Sequence, residues 1–397
     1  MTLRPSSSRP HLVLSWPRGR GRRRWPAAAA VTAGALVAMT LAASGASAAP
    51  ACNGCGYTQI NMVSNQPGHA PLTDPALVNA WGLSASPGTN SAPGSPLWVS
   101  DNGTDVTTLY SGATATTVNK VPLTVSIPSG APTGQVFNTD SNANDFVVSD
   151  SAGHSGRALF LFDTEAGSIA GWNPGVGATA PPSMVAEEPV TNFANAVYKG
   201  LAIAQASDGN TYLYAANFRS GRVEVYNSKF IPVELPGGLF IDPKIPAGYA
   251  PFNVQELAGQ LYVTYAQQDA KLHDDVAGQG NGFVDVFTND GALVRRLVTR
   301  GQLNSPWGLA LAPADFGQFS GDLLVGNFGD GHINVYDPNN GARRGQLRQA
   351  NGQPIVIDGL WGLRFGNGNA AKTNELLFSA GPDGESNGLL GKIVANS

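Results

Sequence analysis

Short alternations of apolar and polar residues recur along the chain from about residue 57 to its end. LWVSD at 97–101, LFLFD at 159–163, LYAAN at 213–217, LYVTY at 261–265, LLVGN at 323–327 and LLFSA at 376–380 share one form. Each is rich in Val, Leu, Tyr and Phe, which suit a pleated surface buried on at least one face. A Gly-containing turn follows each, then a second run: VTTLY at 106–110, SIAGW at 168–172, RVEVY at 222–226, FVDVF at 283–287, HINVY at 332–336 and GLLGKI at 388–393. A first run precedes each pair: WGLSAS, DFVV at 145–148, KGLAIA, FNVQEL, WGLALA and WGLRFG. A weaker fourth run follows in most, such as LVRRLV at 293–298 and GQLRQA at 345–350. No stretch carries the 3.6-residue apolar period of an amphipathic helix.

The runs keep a register. Trp307-Gly308-Leu309 and Trp361-Gly362-Leu363 lie 54 residues apart. Two further steps back of that length reach Asn253-Val254-Gln255 and Lys199-Gly200-Leu201. Trp81-Gly82-Leu83 lies 118 residues before Lys199, room for two units, the second holding DFVV. Six units of four short antiparallel strands predict an all-β fold, a six-bladed β-propeller, over residues 57–397. An elongated β-solenoid is the alternative, but its repeats are usually shorter and need end caps. Trp81, Trp307 and Trp361 occupy one repeat position and are expected to pack between blades.

The segments LTDPALVNAWGLSASP, LYAANFRSGRVEVYN, GYAPFNVQELAGQLYVTYAQQD, LLVGNFGDGHINVYDP and DGLWGLRFGNG resemble an uncharacterised family of secreted bacterial proteins. The resemblance covers about residues 57–395. It implies a six-bladed propeller of the NHL and YWTD kind and leaves the activity open.

Composition changes the picture mainly at the N-terminus. Residues 1–48 hold seven arginines and no acid, then an apolar run from Ala27 to Ala43 and the small-residue triplet Ala46-Ser47-Ala48. That order predicts a signal peptide cleaved after Ala48, read by the Sec route or, from Arg22-Arg23-Arg24, by a twin-arginine route. Secretion to an extracellular location is the expectation. Without this segment 17 bases face 28 acids, a net charge near −11. Such a chain is not expected to bind nucleic acid or anionic membranes, and no second apolar stretch is long enough to span a bilayer. Charged residues are only 13% of the whole, while 49 Gly and 28 Pro supply many turns. The two cysteines, Cys52 and Cys55, fall in a short segment, 49–56, ahead of the repeats. In an oxidising compartment they are expected to pair with each other; a lipidated Cys52 is the alternative, for which Ala49-Pro50-Ala51 is a poor lead-in.

Candidate chemistry follows from the fold. Ligands of propellers sit at one mouth of the central channel, where the ends of the second strands and the approaches to the first strands converge. The second strands end in Asp101, Asp163, Asn217, Tyr265, Asn327 and Ala380. Asp101, Asp163, Asn217 and Asn327 offer oxygens that suit Ca²⁺. Six-bladed lactonases of the gluconolactonase and paraoxonase group use a channel calcium. This chain resembles them only in blade number and in its acids and amides, with Asn79 where they carry a glutamate. An Asp or Asn after a strand also caps turns through backbone N–H groups. Asn79, Tyr198, Tyr265, Asn304 and Asp358 are the expected ligand contacts, with Phe252 in the same row. The most charged loop, 267–276, holds His273, Asp274 and Asp275, catalytic candidates as a set that can bind a metal or orient a general base, with an exposed polar loop as the alternative. His69, His154 and His332 are scattered and read as solvated. Tyr249 and Trp172, outside the tryptophan register, are candidates for stacking on sugars. No GxSxG elbow, HExxH helix or complete EF-hand loop occurs.

These residues favour a secreted, monomeric binding or scaffold module that takes a small molecule, glycan or protein at the propeller mouth. A calcium-dependent hydrolase of the lactonase type is the first alternative, and a structural component of the cell envelope the second.

Overall fold

A computed structural model of the protein describes residues 56–89, 92–112, 117–177, 181–234 and 236–396. The expected signal peptide and the pair Cys52 and Cys55 lie outside the described residues. Six antiparallel sheets follow one another along the chain, as the repeats predict. Blade 1 comprises Ala80–Ser84, Leu97–Asp101, Val106–Ser111 and Asn119–Ser126. Blade 2 comprises Pro132–Phe137, Phe160–Thr164, Ser168–Trp172 and Glu187–Thr191. Blade 3 has Tyr198–Gln205, Thr211–Asn217 and Arg222–Tyr226, with a single bridge from Tyr226 to Pro232 in place of a fourth strand. Blade 4 comprises Tyr249–Leu257, Gln260–Gln267, Phe283–Phe287 and Leu293–Thr299. Blade 5 comprises Pro306–Leu311, Leu323–Asn327, Ile333–Tyr336 and Arg343–Gln346. Blade 6 joins Leu360–Phe365, Leu376–Ala380 and Leu389–Ala395 to Tyr57–Ser64, which pairs antiparallel with the last of these. No α-helix occurs among the described residues, and no helix there is long and apolar enough to cross a membrane.

Period-two side-chain alternation explains why the middle strands bury both faces. In blade 4, Leu261, Val263 and Tyr265 face blade 3, packing with Tyr214, Ala216 and Val223. The intervening Tyr262 faces blade 5, packing with Leu309, Leu323 and Val325. The same arrangement fills the other junctions. Trp98 meets Phe160 and Trp172 between blades 1 and 2, and Leu377 and Leu390 meet Leu97 and Val99 between blades 6 and 1. Burial of each such side chain stabilises the fold by roughly 1.5–3 kcal/mol.

The expected strand at 145–148 is not the innermost strand of blade 2. Val147–Ser149 pairs with Ser155–Arg157 in a separate hairpin, and Pro132–Phe137 takes the inner place. The reason is steric. The inner strands meet one another at a position with no room for a side chain. A Cβ on Gly134 would lie 2.2 Å from the amide nitrogen of Leu201, and one on Gly82 2.4 Å from the carbonyl oxygen of Thr133. The corresponding contacts are 2.5 Å from Gly308 to the Trp361 carbonyl and 2.6 Å from Gly362 to the Trp81 carbonyl. Pro132-Thr133-Gly134 supplies the glycine, and DFVV does not. In blade 4 the fit is made differently. Asn253 donates its Nδ2 to the Trp307 carbonyl at 2.8 Å.

Replacing Gly134 with Ala should cost about 1–3 kcal/mol by overpacking. Gly237, whose Cβ position is open, should tolerate Ala within about 0.5 kcal/mol. Urea unfolding of the two variants compares these costs, and equal stability would show that the inner strands can separate without penalty.

Candidate functional site

Strand register identifies two rings of residues at the axis. Ala80 pairs with Asp101, Pro132 with Thr164, Tyr198 with Asn217, Pro251 with Tyr265, Pro306 with Asn327 and Leu360 with Ala380. One residue further along the inner strands come Trp81, Thr133, Lys199, Phe252, Trp307 and Trp361. One residue past these partners on the second-strand side come Asn102, Glu165, Phe218, Ala266, Phe328 and Gly381. Phe252, not Asn253 as the 54-residue step predicts, therefore stands in the tryptophan column.

The aromatic members form a plug. Trp361 stacks on Trp81 at 3.4 Å between ring centroids and on Phe328 at 3.9 Å. Trp307 packs edge-on against both tryptophans at 6.0 and 5.8 Å. Phe218 and Phe252 join the same cluster. The three tryptophans thus pack with one another at the axis, a more central place than the expected one between blades.

Lys199 is the charged exception in the column. Its ammonium lies 5.2 Å from the Trp81 ring centroid, within cation–π range. It donates to Glu165 Oε1 and lies 3.5 Å from Asp274 Oδ1. Its side chain is 3% exposed, so these carboxylates are its principal compensation for lost hydration. Asn102 Nδ2 donates to Glu165 Oε2 at 2.9 Å. Asn79 Nδ2 donates to Asn102 Oδ1 at 3.1 Å and to Glu385 Oε1 at 2.9 Å, and its Oδ1 accepts from Trp361 Nε1. A continuous polar rim thus runs from blade 6 to blade 3 above the plug.

The 267–276 loop completes the rim. Asp269 Oδ1 accepts backbone N–H groups of Lys271, His273 and Asp274, which orders the tip. His273 Nδ1 lies 2.7 Å from Asp274 Oδ1. Burial raises the Asp274 carboxyl, but the His273 ring and the Lys199 charge outweigh it and hold it below the usual range. Burial raises Glu385, with Glu165 and Asp274 adding to the rise against the bond from Asn79. Burial also raises Asp275. Donor atoms of Glu165, His273 and Asp274 all lie within 4.8 Å of one another. An imidazole with two carboxylates suits a transition metal better than Ca²⁺. A metal there would compete with the Lys199 ammonium for both carboxylates.

The other expected site residues lie elsewhere. Asp101 is fully buried, and burial holds its carboxyl well above the usual range against the opposing effect of Thr108. Asp163 accepts from Thr133 Oγ1 at 2.8 Å. Asn217 donates to Glu224 at 2.7 Å, and Asn327 to the Gln302 carbonyl at 2.8 Å. These four turn into their own blades and share no single point. Tyr198 is buried, its hydroxyl donating to Glu224 at 2.6 Å, and the buried Tyr265 hydroxyl has no partner. Asn304 accepts from the Gly278 N–H and donates to Asp330, a local counterpart of Asn79. Asp358 is exposed and accepts from the Asp383 N–H. Trp172 is buried against Trp98, and Tyr249 packs edge-on against Phe283. Of the expected residues, Asn79, His273 and Asp274 join the rim. Asn102, Glu165, Lys199 and Glu385 were not anticipated, although the 54-residue step from Trp307 reaches Lys199 as the one charged residue in its column.

No protein-family model matches the chain. The uncharacterised protein R648 of Acanthamoeba polyphaga mimivirus is 33% identical over 338 residues, covering 84% of this chain and 78% of that protein. The uncharacterised protein L690 of the same virus is 34% identical over 344 residues, covering 84% of each. These relatives are viral and give no support to the bacterial origin expected from the resemblance. Among solved structures, the α-L-arabinanase of Penicillium chrysogenum complexed with arabinobiose is similar at 13% identity and a TM-score of 0.49, covering 85% of this chain and 98% of that one. A likeness that distant says nothing about the site.

Two outcomes follow from the geometry. Lys199→Met should cost about 3–5 kcal/mol by leaving Glu165 unpaired, and adding Glu165→Gln should restore much of it; additive losses in a double-mutant cycle would dismiss the pair. Burial pushes Asp163 up to about 7, against the bonds from Thr133 and Gly134. A raised folded-state value means that its contribution to stability is complete below the unfolded value of about 3.9 and is lost as pH rises through about 7. Asp163→Asn should therefore lose less stability than the parent between pH 4 and 8. Parallel denaturation curves across that range would show that Asp163 titrates normally.

Proposed function

The chain belongs to the same family as the mimivirus proteins R648 and L690, and on that premise we propose that it is a binding module whose ligand seats on the rim above the aromatic plug. The observation that carries this reading is Lys199, buried at the axis and held between Glu165 and Asp274. A cation already stands between the carboxylates, so the rim is organised as a fixed set of donors and acceptors. Glu165, Asp274 and Glu385 outnumber Lys199, which suits a ligand rich in hydroxyl groups, such as the end of a glycan. Asn79 and Asn102 add amide groups that can accept and donate at once. The partly exposed Phe328, stacked on Trp361, offers an apolar wall. Export directed by residues 1–48 belongs to the same proposal and would place the rim before extracellular glycans.

A second reading has its own support. Glu165, His273 and Asp274 are close enough to share one metal ion, and a metal-assisted hydrolase acting on lactones or esters would use them, with calcium as the ion first expected. The two readings separate in one series. Thermal unfolding with EDTA, Ca²⁺ or Zn²⁺ should leave the midpoint unchanged, while a glycan array should give hits weakened at least tenfold by Asp274→Asn. A metal-dependent rise in the midpoint, with lactone hydrolysis abolished by the same substitution, would replace the binding reading with the hydrolytic one.

A further inference from the structure

The aromatic plug has an underside. Beyond it the inner strands line a half-open cavity of about 300 Å³. Its walls include Leu83, Ile203, Val254 and Leu363, with Trp307 at the plug end. Among its polar lining residues, Gln135, Asn253 and Glu256 bond within the fold. Gln135 Nε2 donates to the Trp98 carbonyl at 2.5 Å, and its Oε1 accepts from Ser100 Oγ at 3.1 Å. Asn253 donates to Trp307 and accepts the Val254 N–H. Glu256 turns back to its own hairpin and accepts the Gly259 N–H at 2.6 Å.

Arg364 is the exception. It lines this cavity and also the open groove beside Pro87, Gly88 and Asn367. Among the described residues its guanidinium makes one hydrogen bond, from Nη2 to the Ala85 carbonyl at 2.9 Å, and no ion pair. The other four N–H donors of the fork are uncommitted. Burial alone lowers its pKa to about 10, with no neighbouring charge to offset the loss of water. The one carboxylate in the lining, Glu256, makes no ion pair with Arg364, which leaves the guanidinium charge to be matched. Its planar fork fits a carboxylate bidentately.

We propose that the lower channel binds a small carboxylate with an apolar body, its carboxylate on the Arg364 fork and its body between Leu83, Ile203 and Leu363 beneath Trp307. The volume, at the small end of the range for ligand pockets, suits a single ring or a chain of six to eight carbons by about the same measure. The groove on the far side of Arg364 gives access from solvent. This site is independent of the rim and of any ligand there.

Titration calorimetry on the full chain with phenylacetate and octanoate tests it. Saturable binding to one site is expected, weakened at least tenfold by Arg364→Met and less by Arg364→Lys, which keeps the charge but loses the fork. Gly237→Ala, at an open position outside this cavity, should leave it unchanged. Arg364→Met removes an unmatched charge, so its ligand-free unfolding midpoint should not fall. No binding at millimolar carboxylate to folded protein would overturn the proposal, as would equal affinity in Arg364→Met. Inorganic phosphate binding as tightly as either carboxylate would also overturn it, because the apolar walls would then contribute nothing.

Discussion

The near-contact of the inner strands governs this structure. At one position in five of six blades the backbone of the next strand or its side chain stands where a Cβ would go. Glycine alone fits where a carbonyl or amide of the next blade stands at 2.2–2.6 Å. Asn253 keeps the spacing in blade 4 by bonding to the same carbonyl that a closer strand would touch. Drawing the strands together narrows the axis until the preceding residues must touch. Four of those six are aromatic, so the narrowing produces a plug rather than a pore. The residues that line one junction thereby decide whether anything can pass along the axis.

A plugged axis gives one channel two unlike ends. Above the plug, carboxylates surround a single buried ammonium and the amides of Asn79 and Asn102 link them. Below it, a single guanidinium stands among aliphatic side chains and the polar groups of Gln135, Asn253 and Glu256. Each side therefore presents a different chemistry, with the packed rings of Trp81, Trp307 and Trp361 between them. Because the inner strands are buried on both faces and bonded within their sheets, the two ends are supported by rigid elements, while the loop at 267–276 depends on one side chain, Asp269, for its order.

The repeated Trp-Gly-Leu and its strand pairs made the blades legible in the sequence, because alternation and turn spacing are local properties. The inner strand of blade 2 was not legible. Pro132-Thr133-Gly134 carries the steric requirement without the tryptophan, and the more apolar DFVV forms a hairpin outside the ring. At the site, the ends of the second strands were the natural choice, since Asp101, Asn217 and Asn327 recur there. Those side chains turn into their blades, and the next residue in each case, where the strand gives way to its turn, reaches the axis. Asn79, His273 and Asp274 were anticipated. Lys199 was in view but could not be interpreted, because its partners stand 34 and 75 residues away and belong to other blades.

Blade 6 is assembled from both ends of the propeller: Tyr57–Ser64 supplies its outer strand and Leu360–Ala395 the rest. Its N-terminal strand is made first and can pair only after the last blade has emerged. Until then two complementary edges stand open, each with unpaired N–H and C=O groups able to template another chain. The ring is thus a clasp that one molecule must fasten on itself, and a crowded population of half-made chains would be able to fasten on one another. A high share of pairings between distant residues also slows folding, which lengthens that exposure. Synthesis in dilute or chaperoned surroundings would matter more to this protein than to one whose blades each close within a single stretch of chain.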